Sequence, residues 1–174
     1  LLKEPVIRII RENPWNANLL SDKLASIITK DTTGKFNFKK ERLEFIFPCT
    51  AEQLPVEDNS IDLVYTSAAF EHFLNPEEVV KELSRITSRG GLNCHAIDMR
   101  DHRDFSKPLE FLKFSEVQWQ EINCKAPGYS HTNRMRHNQI ISLFNSAGFR
   151  LLGVKPLISC RADHEMLSQF AEPY

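Results

Sequence analysis

The sequence predicts an α/β fold, a mainly parallel sheet flanked by helices, and three observations carry that reading. A short apolar run, Leu43–Phe47, is followed by a second, Ile61-Asp62-Leu63-Val64-Tyr65. An amphipathic helical pattern then starts near Asn75, and a third apolar run opens at Gly90-Gly91. Strand, loop, strand, helix, strand is the order of parallel strands joined by crossover connections.

Each element has a physical reason. Leu43–Phe47 reads as a strand closed by Pro48, which cannot donate to a sheet ladder. Pro55–Ser60 is polar and turn-rich, so it is a surface connection. Ile61–Tyr65 is nearly all apolar and rich in strand formers, as expected of a central strand covered on both faces. The small residues Thr66, Ser67, Ala68 and Ala69 leave room at its carboxyl end, where open parallel sheets bind ligands. The helix is punctuated by Asn75 as cap, Pro76 at the first position, Glu78 three residues after the cap and Gly90 past the end. Val79, Leu83 and Ile86 share a face, while Lys81, Glu82 and Arg85 can face water. Gly91–Met99 is the next expected strand, with Asp98, Asp101 and His102 at its carboxyl end.

Upstream, Leu20, Leu24, Ile27 and Ile28 are spaced for an amphipathic helix running to Lys30 and ended by Asp31–Gly34. Val6–Ile10 fits a strand or a helix start, and Lys35–Arg42 reads as an exposed basic connection whose Phe36 and Phe38 tuck inward. Downstream, Phe105–Tyr129 leaves the alternating pattern, Ser115 can cap a short helix, and 103–136 reads as an acceptor-side insertion, a lid or wall. A helix through Ile140, Ile141 and Phe144 ends at Gly148, Phe149–Val154 reads as a strand, and His164–Phe170 as a short helix.

Composition excludes several classes. At 174 residues the chain suits one domain, and 41% hydrophobic with 26% charged residues is ordinary for a globular protein. Lys plus Arg is 22 against 23 for Asp plus Glu, a net charge of -1, which argues against a general binder of nucleic acid or anionic membrane. No apolar run approaches the ~20 residues of a membrane span. Cys49, Cys94, Cys124 and Cys160 form no C-x-x-C pair, which favours reduced thiols and a cytoplasmic protein.

The ordered motifs Ala51-Glu52-Gln53-Leu54-Pro55, Asn59-Ser60-Ile61-Asp62-Leu63-Val64, Glu71-His72 and Glu82-Leu83-Ser84-Arg85, ending in Gly90-Gly91, resemble the middle of a class I S-adenosylmethionine-dependent methyltransferase domain (methyltransferase type 11-like). The resemblance implies a partial Rossmann-like fold and S-adenosyl-L-methionine as cofactor. It also implies an earlier strand and a glycine-rich G-x-G-x-G turn, absent from this chain, so the domain reads as incomplete over 1–174. A looser similarity over Asp98–Arg136 is to methyltransferases of sugar or surface-polymer biosynthesis.

Carried onto these residues, the resemblance puts the adenine contact in the loop with Thr50, Ala51 and Glu52, Ala51 offering its backbone N–H. Thr50 stands where family members often carry an acid, and Glu52 equally reads as a turn cap. Ser67 would line the methyl-transfer end. Glu12 would reach the ribose hydroxyls if Val6–Ile10 were the family's second strand, or is simply solvated. His72 is the group best suited to take a proton from an acceptor hydroxyl or amine, since imidazole titrates near neutrality; Glu71 is the weaker candidate. Asp98 and His102 read as acid/base or acceptor-orienting groups, or the aspartates as turn caps.

Asn133-Arg134-Met135-Arg136-His137 reads either as arginine forks for an acidic or nucleotide-linked acceptor or as a solvated helix start. The expected partner is a small-molecule acceptor, with a sugar-linked or acidic one compatible, and without its first strands the sheet edge predicts a homo-oligomer. Two other classes compete: a non-catalytic binding or scaffold module keeping the fold, and a metal-dependent hydrolase drawing on Cys94, His95, Asp98 and His102. The last is disfavoured because Cys94 and His95 are adjacent in a strand and point to opposite faces, so no metal ligand is assigned.

Overall fold

A computed structural model describes residues 28–30, 32–34, 36–38, 46–125, 132–157, 159 and 161–174. The chain divides into two compact units, Leu1–Pro48 and Cys49–Tyr174.

In the first unit, β1 (Ile28–Lys30) pairs antiparallel with β2 (Phe36–Phe38), Lys30 opposite Phe36. The end of the expected helix is therefore a strand, and the expected connection at Phe36–Phe38 is its partner. β-branched Ile28 and Thr29 and aromatic Phe36 and Phe38 suit a pleated pair better than a helix end. Val6–Ile10, Glu12, Leu20–Ile27 and Leu43–Phe45 lie outside the described residues. Ile46 and Phe47 are described and belong to no strand.

The second unit is built on one crossover. β3 (Ile61–Ser67) leads through a 3-10 turn (Phe70–His72) to α1 (Pro76–Ile86), which feeds β4 (Thr87–Ala96), parallel to β3 with Ser67 beside Ala96. That is the partial α/β, Rossmann-like arrangement the sequence predicts. α1 buries Val79, Leu83 and Ile86 against Leu54, Val56, Ile61 and Val64. The expected side-chain cap at Asn75 is not made; its backbone carbonyl takes the Val79 N–H.

Gly90 does not end α1. The helix stops at Ile86, where Thr87 Oγ1 donates to the Leu83 carbonyl at 2.6 Å, and β4 follows at once. Gly90, at φ 84, lies inside β4, where the register shifts between Ile61 and Leu63. That bulge needs a left-handed residue, hence glycine. A Cβ on Gly91 would meet the Thr87 methyl at 2.8 Å and the Ser88 carbonyl at 2.9 Å.

The expectation that β3 is covered on both faces fails. Val64 and Thr66 turn inward, but Leu63 is 60% and Tyr65 64% exposed, with Leu92 and Cys94 of β4 exposed beside them. An apolar run fits a doubly covered strand, but composition does not supply the second layer. Phe149–Val154 also forms no strand, and Leu151, Leu152 and Val154 are exposed. Among the described residues β4 is the only strand paired to β3, and a strand exists only where a neighbour offers a ladder.

Inside, His95 packs its ring 5.0 Å from Phe144 and 5.8 Å from Phe70, with Nδ1 in a 2.8 Å hydrogen bond to Thr66 Oγ1. Burial holds its pKa below the ordinary 6.5. The unfolded chain thus binds a proton here more readily than the folded one. Stability from this site is complete above about pH 6.5 and is lost as pH falls through the lowered value. In urea titrations from pH 7.5 to 5, the wild type should lose more stability than His95→Gln; equal slopes would refute this.

The remainder packs in two clusters, one around Trp119 and the other, which takes in Ile140, against Phe70 and Val80. α2 (Glu116–Lys125) opens on a reciprocal cap, Ser115 N–H to Gln118 Oε1 at 2.9 Å and Gln118 N–H to Ser115 Oγ at 3.3 Å. α3 (His137–Ser146) ends at Gly148 as expected, at φ 89, with the Phe149 N–H on the Phe144 carbonyl at 3.0 Å. α4 is only His164–Leu167, capped by Asp163, and with Phe170 and Tyr174 it belongs to the Trp119 cluster.

Candidate functional site

Two loops leave the carboxyl ends of adjacent parallel strands, where open sheets present ligands. The first leaves β3 at exposed Ser67. Ala68 follows at φ 49, left-handed for a residue with a Cβ, its N–H held by the Ala96 carbonyl at 2.9 Å. Such strain persists where the surroundings over-determine it. The chain then turns through Phe70–His72, burying Phe70 under α1 and α3 and bringing His72 to the rim.

The second loop leaves β4 and carries Asp98 and His102. The His72 and His102 rings meet edge to face, centroids 5.0 Å apart, and His102 Nε2 is 3.7 Å from Asp98 Oδ2. So His72, Asp98 and His102, 30 residues apart in sequence at the extremes, come together. Asp98 accepts from the Arg100 fork at 2.9 and 2.6 Å and from the Arg100 N–H at 3.1 Å. The Arg100 hydrogen bonds hold its carboxyl below the usual range, overcoming burial. Asp101 repeats the pattern: 1% exposed, it binds the Arg103 fork and N–H. The twice-used Asp-x-Arg spacing is the signal that sequence reasoning passed over. Phe105 extends the cluster, its ring 5.5 Å from His102 and 4.6 Å from the Arg100 guanidinium.

Glu71 is 3% exposed, and neither carboxylate oxygen has a hydrogen bond among the described residues. Cys94 and His95 do point to opposite faces, the thiol outward and the imidazole into the core.

Thr50, Ala51 and Glu52 form a separate group. Thr50 is exposed and bridges to Gln53, whose N–H donates to the Thr50 carbonyl at 3.2 Å. Ala51 packs its methyl toward the Val79–Leu83–Ile86 face. The loop's own hydrogen bonds use the N–H groups of Gln53 and Leu54, and that of Ala51 is in none among the described residues. A half-buried N–H left over in a turn is what an adenine ring nitrogen would require, so this loop fits the implied cofactor. The loop is buckled to α1 by Arg85 and Glu82, and a hollow of about 440 Å³ borders the buckle beside Gln53 and Glu57. Its main polar groups, Glu82 and Arg85, are spent on each other, so this hollow is packing architecture.

The Asn133–His137 cluster runs into the start of α3, with Arg136 at its cap and His137 exposed, but its arginines are not open forks. Arg134 is 2% exposed and donates to the Phe111 and Phe114 carbonyls at 3.1 and 2.6 Å and to Glu116 at 2.6 Å. Arg136 donates to the Met99 carbonyl at 2.6 Å.

Among known proteins, the methyltransferase domain family matches residues 17–94. No curated protein matches the chain. A solved structure from Thermotoga maritima, a SAM-dependent methyltransferase described as a possible histamine N-methyltransferase, is 23% identical with a TM-score of 0.43, over 64% of this chain and 49% of that one. The chain thus spans about half of that protein, and a likeness at this level carries no argument about site or acceptor. The match covers residues 17–94, and the order of the motifs within that stretch is that of a class I S-adenosylmethionine-dependent methyltransferase domain, which this part of the chain resembles.

Proposed function

We propose that this chain contributes to methyl transfer from S-adenosylmethionine to a small-molecule acceptor bound against His72, Asp98 and His102. The observation that carries the reading is the meeting of these three side chains where two parallel strands end. When bound, the cofactor supplies an electrophilic methyl group on a sulfonium. The protein's work is then alignment, exclusion of water and removal of one proton.

In this reading Ala51 N–H and the Thr50–Glu52 turn hold the adenine, and small, exposed Ser67 leaves space at the transfer end. Asp98, its basicity reduced by Arg100, orients the acceptor, while His72 or His102 takes the proton from an acceptor oxygen or nitrogen. Of the stretch 103–136, the described residues 103–125 and 132–136 wall the acceptor side. A sugar-linked or acidic acceptor remains the substrate class of the proposal, and the cytoplasm its compartment.

Titration calorimetry of the full-length protein with S-adenosylmethionine should give micromolar Kd. Release of S-adenosylhomocysteine is then read over a panel of hydroxyl- and amine-bearing sugars. His72→Asn and His102→Asn should keep that Kd, and at least one should slow release by roughly 10²-fold or more. No binding by the full-length protein would make the chain a scaffold and end the proposal. Unchanged rates in both variants would end the roles given to the histidines.

A further inference from the structure

The apposition of His72 and His102 is braced by a third segment of the chain. Both loops are tied to one segment, Thr132–Arg136, which precedes α3. Asn133 Nδ2 donates to the Phe70 carbonyl at 2.8 Å and to the Phe73 carbonyl at 3.3 Å, and its backbone N–H donates to the Glu71 carbonyl at 2.8 Å. One residue thus takes three carbonyls of the turn that carries His72. Three residues on, Arg136 holds the Met99 carbonyl at 2.6 Å, in the loop between Asp98 and His102.

The segment between those ties is fixed. Arg134 sits at φ 59, a left-handed conformation costly for a residue with a Cβ, and its buried guanidinium lies between the rings of Trp119 and Tyr174 at 5.3 and 5.0 Å. Its two carbonyl contacts and Glu116 complete the anchorage. Gln139 Oε1 accepts the Arg136 N–H at 2.7 Å, joining the segment to the start of α3. Strain held by this many contacts means that the segment has one position and imposes it on whatever it binds.

We propose that Asn133 and Arg136 are positioning residues: together they set the distance between His72 and His102. The inference takes its interest from the methyl-transfer reading but is tested without it. Reacting groups must be held to within about an ångström, and misplacement on that scale costs about 10²-fold in rate. A shared strap meets that demand across two loops that are separate in sequence.

The test is the Cε1–H resonances of the protein labelled with ¹³C-histidine, recorded well below unfolding and without cofactor. Each ring lies in the ring current of the other. Asn133→Ala should displace the His72 and His102 signals toward those of isolated imidazole, and Arg136→Met should do the same, with Arg136→Lys restoring part of the shift. His164, exposed on α4 and away from the strap, should stay in place. Wild-type positions for His72 and His102 in folded R136M and N133A would overturn the proposal, as would equal displacement of the His72, His102 and His164 signals. If N133A does not fold, the R136M and R136K pair decides alone. A separate titration with S-adenosylmethionine reports on the methyltransferase reading, so the two can fail independently.

Discussion

Trp119→Ala should destabilise the protein by about 4 kcal/mol, the upper part of the range for removing a buried aromatic ring. Trp119 is 2% exposed and sits at the centre of the cluster formed with Leu109, Phe111 and Leu112. Its ring meets Phe111 edge-on at 5.8 Å and stacks with Phe114 at 6.4 Å. The guanidinium groups of Arg103 and Arg134 lie 4.9 and 5.3 Å from its centroid. Its Nε1–H donates to the Thr132 carbonyl at 2.9 Å, inside the strap. Truncation leaves a cavity, removes the π-face under two cations and strands a buried carbonyl. Trp119→Phe keeps most of the ring but not the donor, and should cost about 2 kcal/mol, the size of one unsatisfied buried acceptor plus a small packing loss. Urea unfolding followed by far-ultraviolet circular dichroism measures both. Hydrogen exchange adds a local reading, because the Ala171 N–H is bonded to the Leu112 carbonyl of the same cluster at 2.9 Å. In W119A that amide should exchange faster than those of β4. A loss below 1 kcal/mol, or uniform protection, would show that the cluster does not depend on this ring.

How much of this was legible in the sequence depends on how local each cause is. β3, the start of α1 at Pro76 and the end of α3 at Gly148 follow from periodicity and punctuation within a dozen residues, and they are where the sequence puts them. The convergence of His72, Asp98 and His102 was legible through topology, since loops leaving the same end of adjacent parallel strands must meet. Gly90 was misread because a glycine after a helix and a glycine in a strand bulge look alike until the register of β3 against β4 is known. Phe149–Val154 has strand composition, but a ladder partner is a tertiary fact. The Arg134 and Arg136 contacts were hidden for the same reason. An arginine's partners here are backbone carbonyls of Phe111, Phe114 and Met99, and any residue supplies a carbonyl. Only the left-handed backbone at Arg134 and the repeated Asp-x-Arg spacing carry a hint of structural roles.

Arg85→Ala should destabilise the protein, and its effect should reach the proposed adenine loop. The guanidinium forks onto Glu82 at 2.8 and 2.7 Å, donates to the Val56 and Leu54 carbonyls at 2.8 and 3.0 Å, and reaches Asp58. Glu82, 8% exposed, also accepts the Leu54 N–H at 2.7 Å. Without Arg85 a buried carboxylate keeps one donor and two carbonyls lose theirs, the situation in which breaking a buried pair is most costly. Arg85→Lys keeps the charge without the fork and should fall between. Acid provides the second reading. The Arg85 hydrogen bonds depress Glu82 from 4.5 to about 2, so the pair's stabilisation is present above about pH 4.5 and is lost as pH falls through about 2. The difference between wild type and R85A should therefore be largest near neutrality and narrow below pH 4.5. Because Leu54 N–H and C=O are both in this buckle, three residues from Ala51, loosening it should also weaken S-adenosylmethionine binding in the full-length protein. A small loss of stability that does not change with pH would mean that the fork is ornamental to the fold. A full loss of stability with an unchanged Kd would separate the buckle from the cofactor and move the adenine contact away from the Thr50–Glu52 turn.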